Sequence, residues 1–143
     1  MIILVDTSVW VEHLQRGNAA LADFLRRSMV LVHPFVLGEL ALGNLQQRAQ
    51  VLGAVQNLPQ ARVADAQEVL HLIGTQVLHG MGIGYVDAHL LASVRLTAGS
   101  ALWTHDKRLA AAATRMGASI NALQQAKPQD GGRCPAGVAT LFP

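Results

Sequence analysis

Charge is sparse in this 143-residue chain: Asp, Glu, Lys and Arg together make up only 14%. Aromatic residues are scarcer, at 4%, which argues against recognition of single strands through broad base-stacking surfaces. A lone cysteine, Cys134, excludes an internal disulfide, fits a reducing compartment, and forms no zinc-ligand spacing with His105 or any other residue. The apolar start "MIILV" stops at Asp6 with no basic flank, far too short for a signal sequence or a membrane span. The expectation is therefore a soluble cytoplasmic protein with no membrane association. What the chain does have is apolar side chain, 51% of the total, and enough length for one domain with a substantial core.

Apolar runs and helical patterns alternate along it, and no internal repeat is visible. "IILVD" (2–6) has the composition of a strand buried on both faces. Helices are expected over 8–15 and 19–28, then a strand at 29–33. A helix entered at His33, with Pro34 in its first position, carries Glu39. Further helices are expected over 45–57, 65–79, 85–98 and 106–117, the last closed by Gly117. Three glycines in "HGMGIG" break the pattern before residue 85. Strands are expected at 101–105 and, in shorter form, at 61–64 and 118–121. The alternation predicts an α/β fold: a central, mostly parallel sheet of four to five strands with helices on both faces. Residues 124–143 are rich in Gly, Pro and polar side chains and read as an appendage to a domain spanning 1–123.

Open parallel sheets bind ligands beyond the carboxyl ends of their strands. Asp6 closes the first strand, Asp106 follows "ALWTH", Asp87 opens a long helix, and Glu39 lies one turn past the second strand. For Asp6, Asp87 or Asp106 taken singly, helix capping is the better explanation. Glu39 lacks that explanation. Its neighbours one turn away are Phe35, Val36, Leu42 and Gly43, so the expectation places it in apolar surroundings. An unpaired carboxylate there costs several kcal/mol, so it must be protonated, paired with an Arg, or bound to a cation. No basic residue shares its helical face. One divalent cation shared among the four acids accounts for all of them, and oxygen ligands select Mg²⁺ or Mn²⁺.

The motifs carrying these acids resemble those of PIN-domain nucleases, and especially the VapC-type toxins of toxin–antitoxin modules. "ILVDTSVWVEHL" is similar to the first motif, Glu39 stands for the lone Glu that follows, "GYVDAHLLAS" places Asp87 at the third acid, and "LWTHDKRL" ends in the fourth, Asp106. The resemblance spans about residues 1–121; the tail beyond and His105 depart from it. It implies a single PIN-like domain and a Mg²⁺- or Mn²⁺-dependent endoribonuclease leaving a 5′-phosphate and a 3′-hydroxyl. Carried over by position, Asp6 and Asp87 are the metal ligands, with Asp106 and Glu39 completing the pocket through water or as general base. Thr7, Ser8 and Thr104 are placed to orient these groups, against the plainer roles of helix cap for the first two and strand former for Thr104.

The resemblance also implies a homodimer and a VapB-like antitoxin covering the pocket, with helix 45–57 as an expected interface. If the four acids share one pocket, eleven Lys and Arg outnumber the remaining acids roughly two to one, a field that attracts RNA. Lys107 and Arg108, directly after Asp106, are the expected substrate contacts; Arg26, Arg27, Arg48 and Arg95 read singly as solvated helix faces. His13, His71 and His79 are expected at the surface or at helix ends, His33 as a cap, and His89 and His105 pointing away from the acids. Two rivals were weighed. A phosphatase needs Asp-x-Asp after the first strand, where "DTS" puts Ser8; a silent RNA-binding module predicts loss of the acids, and all four are present.

Overall fold

In a computed structural model that describes residues 1–120, the chain alternates β1 (Ile2–Val5), α1 (Thr7–Arg16), α2 (Ala19–Arg26), β2 (Val30–Leu31), α3 (Pro34–Leu42) and α4 (Arg48–Gln56). It continues through α5 (Ala66–Thr75), α6 (Tyr85–Leu96), β3 (Ser100–Trp103) and α7 (Lys107–Arg115). The expected appendage at 124–143 lies outside the described residues. Among those described, no helix is long and apolar enough to cross a membrane.

The sheet order is β2-β1-β3, with every pairing parallel. β1 lies in the centre, Leu4 facing Leu31 on one side and Leu102 on the other. Successive strand side chains point to opposite faces, yet Ile3, Leu4 and Val5 are all fully buried, so helices cover both faces as expected. Each such burial stabilises by about 1.5–3 kcal/mol.

Among the described residues the sheet has three strands, against the expected four to five. At one edge Gln60 makes a single parallel bridge to Val32, with the Ala61 N–H donating to the Val32 carbonyl at 2.8 Å. The chain then turns outward through exposed Arg62 and Val63 to the cap of α5, so 61–64 is not a strand. At the other edge Ser119 bridges Leu102 alone. Both are one-rung extensions of the expected pairing.

Local chemistry sets the helix limits. Asn18 caps α2, and His33 caps α3 by accepting from the Phe35 N–H at 3.0 Å through Nδ1. Asp65 and Glu68 close a reciprocal capping box on α5. α5 ends at Thr75, short of the expected 79, because Val77 takes a left-handed backbone (φ 53°) that a helix cannot include. His13 takes the helix-end alternative of its expected placement, in the last turn of α1. It is buried one turn after Trp10, its Nδ1 accepting from the Asn18 N–H at 2.9 Å.

Candidate active site

With β2 and β3 on opposite sides of β1, the strand order reverses at β1, and the carboxyl ends of β1 and β3 open a crevice. Asp6 follows β1 and is held by its own N–H, which donates to the Trp103 carbonyl at 2.9 Å. Although Asp6 stands at the start of α1, its side chain makes no capping bond. Its Oδ2 instead accepts from Ser8 Oγ at 2.8 Å and from Thr104 Oγ1 at 2.7 Å. Thr104 Oγ1 in turn accepts from the Asp106 N–H at 3.0 Å, and Ser8 Oγ from the His105 N–H at 3.0 Å. Ser8, at the place where a phosphatase carries its second Asp, is thus taken up in ordering the turn after β3.

The other three acids are held in different ways. Asp106 does cap α7, its Oδ1 accepting from the Arg108 and Leu109 N–H groups at 2.9 and 3.1 Å. Asp87, in the first turn of α6, reaches back so that Oδ2 accepts from the Gly84 N–H at 3.1 Å. Glu39 Oε1 accepts from Thr7 Oγ1 at 2.6 Å. Contrary to expectation, Glu39 is exposed and not sunk in apolar side chains. α3 buries only Val36 and Leu40, so its remaining apolar side chains lie at or near the surface, with Leu42 89% exposed. The desolvation argument for Glu39 therefore does not hold; its place opposite Thr7 does the positioning.

Each of the four carboxylates has one oxygen in a hydrogen bond and, among the described residues, the other without a protein donor. No Lys, Arg or His among the described residues forms an ion pair with any of them. Burial pushes the Asp87 carboxyl above its ordinary value, the Gly84 N–H opposes this, and the negative charges of Asp6, Asp106 and Glu39 push it further up. The four acids therefore share one electrostatic neighbourhood that lacks a balancing cation. No three His, Cys, Asp or Glu side chains among the described residues are gathered into a closed ligand set. The donors suit a hard divalent ion that keeps most of its water and takes one or two carboxylates, in preference to an all-protein cage.

Around this crevice, Lys107 and Arg108 are exposed in the first turn of α7. The Arg108 guanidinium lies over Gly82, where an added Cβ would stand 2.8 Å from Nη1. Gly82 takes φ 76°, a backbone that favours glycine, whereas the flexible Arg108 side chain could move aside for a Cβ. Arg27 and Arg26 turn instead to Asp23, and Arg48 donates to the Ala41 carbonyl. His105 faces away, its Nε2 3.2 Å from Glu12. One grouping was not anticipated from sequence: His33, Phe35, His89 and Tyr85 stack edge to face in series beside α3. Its only signal was the chain's single Tyr two positions before Asp87.

A family model described as a PIN domain matches residues 3–114. Ribonuclease VapC32 of Mycobacterium tuberculosis (strain CDC 1551 / Oshkosh) is 49% identical over 119 residues, covering 83% of this chain and 96% of that protein. Ribonuclease VapC32 of strain ATCC 25618 / H37Rv matches with the same identity and coverage.

Proposed function

The chain belongs to the PIN-domain family, among its VapC-type ribonucleases, and from that premise we propose that it is a Mg²⁺- or Mn²⁺-dependent endoribonuclease, the toxin of a toxin–antitoxin pair. The observation that carries the metal dependence is the set of four carboxylates, each with one oxygen in a hydrogen bond, that no Lys, Arg or His among the described residues pairs with, and whose mutual repulsion helps to raise Asp87. Asp6 and Asp87 would hold the ion through their free oxygens, with Asp106 and Glu39 reaching it through water. Such an ion would offset the negative charge that builds on the phosphate oxygens during attack and would make a bound water more acidic.

The protein's own groups do the rest. Thr104 and Ser8 fix the Asp6 carboxylate by holding Oδ2, which leaves Oδ1 available to an ion. Thr7 fixes Glu39 through Oε1, leaving Oε2 to take a proton from the attacking water. Lys107 and Arg108 draw in the phosphodiester, attack breaks the P–O3′ bond, and the departing oxygen is protonated from solvent. The products carry a 5′-phosphate and a 3′-hydroxyl.

Removal of metal provides the test. Purified protein is expected to cleave RNA in Mg²⁺ or Mn²⁺, to stop in EDTA, and to recover when excess Mg²⁺ is restored. Undiminished cleavage in EDTA overturns the metal assignment.

The same reading extends to partners: a homodimer, and an antitoxin that covers the acidic crevice. Leu42, Leu70 and Val63, each about half or more exposed, supply apolar surface for such contacts. Light scattering is expected to give twice the monomer mass. A monomer that also fails to bind the product of the neighbouring gene removes both partners.

A further inference from the structure

Among the described residues, Tyr85 is the one Phe, Trp or Tyr side chain with more than half its surface exposed, at 52%. Both tryptophans and Phe24 are buried, and Phe35 is partly covered. A chain so poor in aromatics leaves this ring in solvent at the first position of α6, two residues before Asp87.

The ring is braced as well as exposed. His89, one turn on, meets it edge to face with centroids 4.7 Å apart at 89°. Phe35 meets His89 in the same way at 4.7 Å, and His33, fully buried, backs Phe35 at 4.8 Å. On α3, Phe35 and Glu39 are four residues apart and so share a face. The aromatic series therefore runs from the core past α3, the helix that carries Glu39, and ends at Tyr85, the first residue of the helix whose first turn carries Asp87. Within the described residues the phenol oxygen has no hydrogen-bond partner, so the ring face, and not the hydroxyl, is what the fold holds in place.

Given the RNA-cleaving role proposed above, we propose that Tyr85 is the platform on which a base of the RNA stacks next to the scissile phosphate. Every base has a π-face, so a single ring tolerates any sequence while fixing where the backbone crosses the carboxylates. The scarcity of other exposed aromatics makes this a one-base anchor and leaves the remaining grip on RNA to phosphate contacts.

The test is steady-state cleavage of a fluorescein-labelled single-stranded RNA of randomised sequence by the full chain in Mg²⁺. Tyr85→Ala is expected to raise KM about five- to hundredfold, the range for losing one stacked base, with a smaller change in kcat. Tyr85→Phe and Tyr85→Trp are expected to restore KM, since both keep a ring. Wild-type kinetics in Tyr85→Ala overturn the platform, as does a Tyr85→Phe variant as impaired as Tyr85→Ala. A ring used only to dock another protein would give the first of these results. A wild-type chain that leaves this RNA intact defeats the function reading and the platform with it; wild-type cleavage with an indifferent Tyr85→Ala defeats the platform alone.

Discussion

Replacing Asp6 or Asp87 by Asn is expected to cut RNA cleavage by at least about a hundredfold, because each change removes a charge from the set proposed to hold the metal, worth several kcal/mol in the transition state. Asn is the informative substitute. Its amide oxygen can still accept from Ser8 and Thr104 at position 6, and from the Gly84 N–H at position 87, so the local fold survives. The two variants separate in stability. Asp87 is raised in the folded chain by burial and by its acidic neighbours, so its charged form works against folding at neutral pH. In metal-free buffer Asp87→Asn is expected to melt above wild type, and adding Mg²⁺ should raise wild type towards it. Thermal melts with and without Mg²⁺ check this; an Asp87→Asn variant that is fully active, or that melts well below wild type, contradicts it.

Acid is expected to unfold the protein unusually early, and the buried histidines are the reason. Burial pushes His33 down to about 4, helped by the nearby His89, and burial likewise lowers His13 and His89. His33 and His13 both use Nδ1 to accept a backbone N–H, which a protonated ring cannot do. A folded pKa below the unfolded value near 6.5 means that the unfolded chain binds the proton first. The stability His33 confers is complete above about pH 6.5 and drains away as pH falls towards 4, and His13 and His89 lose theirs in the same direction. For His33 alone the loss is of the order of 3 kcal/mol, against a total of about 5–15 kcal/mol for a domain. Protonation of Asp87 works in the opposite direction over part of the same range and offsets only some of it. His33→Asn keeps a capping side chain and deletes the titration. Urea midpoints at pH 7 and pH 5, read by Trp10 and Trp103 fluorescence, should fall less in His33→Asn than in wild type. Equal falls would assign the acid sensitivity elsewhere.

Much of this architecture could be read from residues alone. "IILVD" declared both a doubly covered strand and the polar residue at its end, because a fully buried strand admits no alternation and Asp6 marks where it emerges. The hydroxyls of Thr7, Ser8 and Thr104 were legible as neighbours of the acids for the same topological reason. Glu39 was not legible in its true setting. α3 is apolar almost all round, so its periodicity does not tell which side faces the core, and the exposed side carries Leu42 as well as Glu39. The sheet edges differ: "ARVA" and "ASIN" have strand composition, but among the described residues each edge is extended by one bridge, made by Gln60 just before "ARVA" and by Ser119 within "ASIN". The burial of His13 at its helix end was not legible, because burial of a polar ring depends on the Asn18 N–H that satisfies it, a tertiary detail with no sequence signature.

The contact between Thr104 and Asp6 joins residues 98 positions apart, and the Ser8 bond to the His105 N–H spans 97. Such long-range pairings form late in folding and are built last in a chain made from its N-terminus. A nascent chain that has not yet emerged past Trp103 has its first strand but not the strand and turn that aim Asp6. On the ribonuclease reading proposed above, cleavage is therefore expected only once the chain has been made past Thr104 and His105, when most of it is complete.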